Sequence, residues 1–125
     1  MREARARLPG PLHSAAMKLR LEKPWLELTP ERARAVPGHL GVYEVQSPAG
    51  ETVRIGFAGA RELFGLRSAL AREASAQPPG SRFRYEVNAQ YQSRWRELLM
   101  LYAREHGALP AGNERDRPAR LGRMR

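Results

Sequence analysis

Residues 40–70, L-G-V-Y-E-V-Q-S-P-A-G-E-T-V-R-I-G-F-A-G-A-R-E-L-F-G-L-R-S-A-L, decide how this chain folds. Residues 40–46 are rich in apolar and β-branched types and read as a strand. Residues 47–50 supply turn chemistry, with Pro48 and Gly50 among them. Residues 52–57 read as a second strand, with Val53, Ile55 and Phe57 on one face and Arg54 on the other. The two strands make a hairpin. Small residues at 56–60 form a loop in which backbone can approach closely. Residues 61–74 then read as a helix whose inner stripe includes Leu63, Leu66, Leu70 and Ala74. Gly65 inside that helix weakens it by about 1 kcal/mol relative to alanine.

Outward from this stretch the pattern continues. Upstream, Trp25, Leu26 and Leu28 offer a short apolar anchor. Thr29 is a good N-cap, Pro30 suits the first helical position and Glu31 the positive helix end, which predicts a short helix over 30–35 ended by Pro37 and Gly38. Downstream, residues 82–87 predict a third strand with Phe83, Tyr85 and Val87 inward and Arg82, Arg84 and Glu86 outward. Residues 90–105 predict a helix with the apolar stripe Tyr91, Trp95, Leu98, Leu99 and Tyr102, closed by Gly107. Residues 108–113 read as a final ordered turn. Neither a sequence repeat nor a glycine-rich phosphate fingerprint is present.

A chain of 125 residues fits one small domain with a modest core. Cysteine is absent, which excludes a disulfide framework and a thiolate metal site. His13, His39 and His106 are too far apart in sequence to suggest a zinc cluster. The net charge is +9, and the first 20 residues hold +4 of it while residues 114–125 hold +3. These ends read as flexible basic tails around a domain over 21–113. Basic tails attract nucleic acid or anionic surfaces without specifying a sequence or a reaction. No segment is long and apolar enough to span a membrane, and no apolar run follows the basic N-terminus. The expected address is the cytoplasm. Met17 opens M-K-L-R-L as a plausible second start, and the expectation is that residues 1–16 contribute nothing to the fold.

G-V-Y at Gly41–Tyr43, R-I-G at Arg54–Gly56, L-R-S-A-L at Leu66–Leu70, R-E-L-L containing Glu97, and the ending Pro110 to Asn113 follow one another with a ten-residue gap, 44–53, between the first two. In order and spacing this resembles the GIY-YIG nuclease family over residues 37–113. The resemblance implies an α/β (α+β) domain, a small antiparallel three-stranded sheet flanked by helices. It also implies a Mg²⁺-dependent endonuclease (Mn²⁺ possible) acting on DNA in repair or processing. The second motif departs from the family, which has tyrosine where Arg54 stands.

Phosphodiester hydrolysis needs a base for water, positive charge for the phosphorane oxygens, and a metal or acid for the leaving oxygen. By the resemblance, Tyr43 would orient or deprotonate the water, Arg67 would hold the scissile phosphate through its planar fork, and Glu97 would bind one hydrated Mg²⁺. Gly41 and Gly56 would make structural room, and Asn113 would buttress the site. Arg54, Arg61, Arg82 and Arg84 are candidate nucleic-acid contacts, Arg54 being either an extra phosphate ligand or the mark of a degenerate site. Each residue also has a plain reading. Tyr43 can be a strand aromatic, Gly56 a turn residue, Glu97 half of an exposed ion pair and Asn113 a turn cap. Arg67 lies between Leu63 and Leu70 on the apolar stripe, where a charge is costly unless an anion meets it or its head snorkels to water. With no attached recognition domain, specificity would come from nucleic-acid shape or from a protein partner. The competing function is a non-catalytic nucleic-acid-binding module on the same fold, and a third is a protein-interaction adaptor.

Overall fold

The structure, a computed structural model, describes residues 20–116. It is an α+β fold built on an antiparallel sheet of four strands in the order β1-β4-β2-β3. The strands are β1 (Leu26–Glu27), β2 (Gly41–Gln46), β3 (Thr52–Ala58) and β4 (Arg82–Val87). The helices are α1 (Pro30–Arg34), α2 (Gly65–Ala76) and α3 (Tyr91–His106), followed by a 3₁₀ turn at Ala111–Asp116.

The hairpin forms as its sequence suggests, with Tyr43 opposite Gly56 and Val42 opposite Phe57. Between Val45 and Gln46 the register shifts, so Val53 is left as an extra residue in β3 and its side chain joins the core beneath α2. The third expected strand pairs with β2 on its other side, Tyr85 lying opposite Tyr43. The expected count of three strands is corrected to four, because Leu26 and Glu27 pair with Phe83 and Arg82. A two-residue strand is too short to show a period of two, so its sequence reads only as an apolar anchor.

Both faces of the sheet are covered. On one, α1 and α2 pack Ala33, Leu66, Ala69 and Leu70 against Tyr43, Val45, Ala58 and Phe83. On the other, α3 packs Leu98 and Leu99 against Val42 and Ile55, joined by Leu21. Adjacent strand residues point to opposite faces, so Val42 and Tyr43 assign α3 and α2 to opposite sides. Arg84 and Glu86, expected outward, are therefore half-buried beneath α3 and meet Glu44 and Arg94. Val87, expected inward, is exposed at the sheet end.

Helix α1 carries the expected cap, Thr29 Oγ1 accepting from the Arg32 N–H at 3.1 Å. Helix α3 ends at Gly107, whose φ of 81° lies in the left-handed region. Helix α2 departs from expectation: it starts at Gly65 instead of residue 61, and Leu63 is 80% exposed. Gly65 has φ of 50°, and a Cβ there would lie 2.3 Å from the His39 carbonyl oxygen. That carbonyl instead accepts the Leu66 N–H at 2.9 Å and starts the helix. Gly65 is thus the first residue of the helix, where its positive φ is needed, and not a weak point in its interior. Among the described residues, no helix is long and apolar enough to cross a membrane. The expected tails at 1–20 and 114–125 lie almost wholly outside the described residues.

Candidate functional site

The polar centre nearest the first two motifs is a closed network under α2. Tyr43 is 3% exposed, and its hydroxyl donates to Glu73 Oε2 at 2.8 Å. Arg54 reaches the same oxygen through Nε at 3.1 Å, and its Nη1 donates to the Gly112 carbonyl at 2.7 Å. Gln77 Nε2 donates to Glu73 Oε1 at 3.0 Å. Both oxygens of Glu73 are thus engaged. Gly56 lies under the phenol: a Cβ there would come within 2.4 Å of Tyr43 Cζ and Oη. Gly41 is equally constrained, since its Cβ would meet the Glu86 carbonyl oxygen at 2.2 Å.

This environment sets the chemistry of Tyr43. Burial pushes its phenol well above the ordinary range, the Glu73 carboxylate pushes it further, and Arg54 pulls only partly back. A phenol serves as a general base when its pKa is drawn down toward neutrality. At neutral pH this one is a protonated donor with its acceptor already chosen.

Arg67 lies on the same side of the sheet but looks elsewhere. Its Nε donates to the Val36 carbonyl at 2.9 Å, just past the end of α1, and its guanidinium carbon lies 5.9 Å from the Phe64 ring centre. Partial burial on the apolar stripe is thus compensated by a backbone acceptor at a helix C-terminal end.

Glu97 lies on α3, across the sheet from α2. Its Oε1 accepts from Arg94 Nη1 at 2.9 Å, and the side chain is 52% exposed. Arg94, only 8% exposed, also holds Glu86 through Nε at 2.9 Å. Burial alone would raise the Glu86 carboxyl, but the bonds from Arg94 and Asn88 outweigh it and keep it below the usual range. A single carboxylate already sharing a cation is a poor seat for Mg²⁺, which favours several oxygen ligands in octahedral geometry. Among the described residues, no group of three or more His, Cys, Asp or Glu is placed to hold a metal ion.

Asn113 is fully buried and braces β3: its Oδ1 accepts the Ile55 N–H and its Nδ2 donates to the Ile55 carbonyl, both at 2.8 Å. Arg84 is paired with Glu44 at 2.7 Å and lies 4.2 Å from the Trp25 ring centre. Arg61 and Arg82 are exposed. The fold therefore joins Tyr43, Gly56, Arg54 and, through Gly112, the neighbourhood of Asn113. It leaves Arg67 outside this cluster, on the Val36 carbonyl, and sets Glu97 on the opposite face.

Sequence reasoning missed Glu73 and Arg94, the acid and base at the centre of the two networks. Glu73 follows Leu66 and Leu70 by seven and three positions, on the buried stripe of α2. Arg94 precedes Leu98 by four. A charge on an apolar stripe is the signal that finds both.

Residues 17–106 match the model of a protein family described as a domain of unknown function. No curated protein and no solved structure matches the chain.

Proposed function

The chain belongs to that family, DUF7508, and from the geometry of its polar centres we propose that it is a non-catalytic nucleic-acid-binding module on a GIY-YIG-like fold. The observation that carries this reading is the separation of Arg67 from Glu97 by the sheet. A phosphodiester centre needs base, phosphate clamp and metal ligand within reach of one phosphorus atom. Here the proposed base is locked as a donor to Glu73, the clamp holds a backbone carbonyl, and the metal ligand faces away from both.

Arg54 favours the degenerate-site interpretation over the phosphate-ligand one, because it closes the Tyr43 network from the position where the family has tyrosine. Binding would draw on charge. The chain carries +9, most of it near its ends, and Arg61 and Arg82 stand exposed on the domain. Phosphate contacts of this kind give affinity without sequence preference, so specificity would come from nucleic-acid shape or a protein partner. A cytoplasmic address goes with this reading.

The test is a pair of assays on the full chain. Labelled single-stranded, nicked and branched DNA are titrated across a salt series, then incubated with Mg²⁺ or Mn²⁺ and resolved for product. We expect salt-sensitive binding and no cleavage. Product that disappears in Glu97→Gln would restore the nuclease reading. Absence of both binding and cleavage would leave the adaptor reading.

A further inference from the structure

Phe57, an exposed large apolar residue, lies near one end of the sheet. Gly41, Ala58 and Val87 are in register there, with Phe57 next to Ala58. Val87 is 49% exposed, and Leu63 and Phe64 project from the loop that continues β3 toward α2. Beside Phe57 lies a cleft of about 400 Å³ bordered by Phe57, Arg61, Glu62, Tyr91 and Gln92. That volume is typical of small-ligand sites.

The aromatic wall of this cleft is fixed by its neighbours. The Phe57 ring stacks on Tyr91 at 5.4 Å and 26°, and meets Trp95 edge-on at 5.0 Å and 69°. Trp95 is held by its Nε1 donating to the Ile55 carbonyl at 2.8 Å. The loop lies so close to Tyr91 that a Cβ on Gly59 would approach its ring to 2.9 Å. Phe57 nevertheless remains 36% exposed.

The charge around this wall suits an anion. Arg61 is exposed and has no ion-pair partner among the described residues. Glu62, the one carboxylate among the described residues that border the cleft, accepts from Arg72 Nη2 at 3.0 Å. Gln92 adds an exposed amide that can both donate and accept. Flat apolar rings beside an uncompensated guanidinium match a flat base followed by a phosphate. Bases inside a duplex have their faces covered by their neighbours, so only an unpaired base can use such a wall.

We propose that this cleft is a stacking site for an unpaired base of single-stranded nucleic acid, with Arg61 on the adjoining phosphate. The proposal rests on the nucleic-acid-binding reading above and narrows it to single strands.

The full chain is titrated with labelled oligomers of about 12 thymidines or uridines, and with a duplex of the same length. The single strands should bind more tightly than the duplex. Phe57→Leu keeps apolar bulk, and circular dichroism checks that it is folded; it should weaken single-strand binding about tenfold without changing the salt slope. Arg61→Gln should flatten that slope by about 0.7, the share of one phosphate on a single strand. A preference between the thymidine and uridine oligomers would support the site and identify its source as DNA or RNA. Salt-sensitive binding that Phe57→Leu leaves unchanged would overturn the stacking site while sparing the broader reading. Wild-type protein that binds neither form would overturn both.

Discussion

The Tyr43 hydroxyl has one acceptor, Glu73, and almost no solvent. Tyr43→Phe should cost about 1–3 kcal/mol, read from urea melts at neutral pH, because a hydrogen bond to a charged acceptor is lost. The pH dependence has a definite sign. The folded phenol holds its proton to higher pH than an unfolded one, whose pKa is about 10. Its contribution is therefore whole below that value and declines as pH rises toward the folded pKa. Wild-type stability should fall between about pH 9 and about pH 11 more steeply than that of Tyr43→Phe. Burial also raises Tyr102, so part of the alkaline decline should survive in the variant. Parallel alkaline curves for the two proteins would show that Tyr43 titrates normally.

Gly65 separates the reading of an element from that of its sequence. As an interior helical glycine it would be improved by alanine by about 1 kcal/mol. With φ of 50° and the His39 carbonyl in the way, alanine must instead strain the entry to α2. Gly65→Ala should lower stability by at least about 1–2 kcal/mol, seen as a reduced Tm. A raised Tm would return the helix to its sequence-based start at residue 61. The existence of the hairpin strands, β4 and α3 was legible because the local residue pattern there matches the element that forms, even where the faces differ. The start of α2 was not, since the contact that sets it comes from His39, well upstream. Arg84 and Glu86 alternate with Phe83 and Tyr85 and so read as solvent-facing; α3 turns that second face into an interior. Of the candidate site residues, Tyr43 crosses Gly56 and Asn113 bonds to β3. The position of Glu97 was not legible, because motif order along the chain does not say which face of a sheet a helix takes.

At the scale of the molecule, charge is unevenly shared along the chain. Residues 1–20 and 114–125 together hold +7 of the +9. Arg20 is paired with Glu105 and Leu21 is buried, so a trimmed chain has to keep both. A protein of residues 20–116 should bind DNA with a flatter salt slope than the full chain, as fewer counterions are released. An unchanged slope would assign the contacts to Arg61, Arg82 and their neighbours on the domain. The 3₁₀ turn carries a further consequence. Strand β3 is the last in the sheet, and Asn113 occupies its outer side like a one-residue strand, bonding Ile55 both ways. An uncovered outer strand is a template for a strand from another copy. Asn113→Ala should thus do more than cost about 1–3 kcal/mol through unsatisfied groups. Light scattering should reveal concentration-dependent assemblies that wild type does not form, which would make this asparagine the residue that keeps one molecule's sheet from being continued by the next.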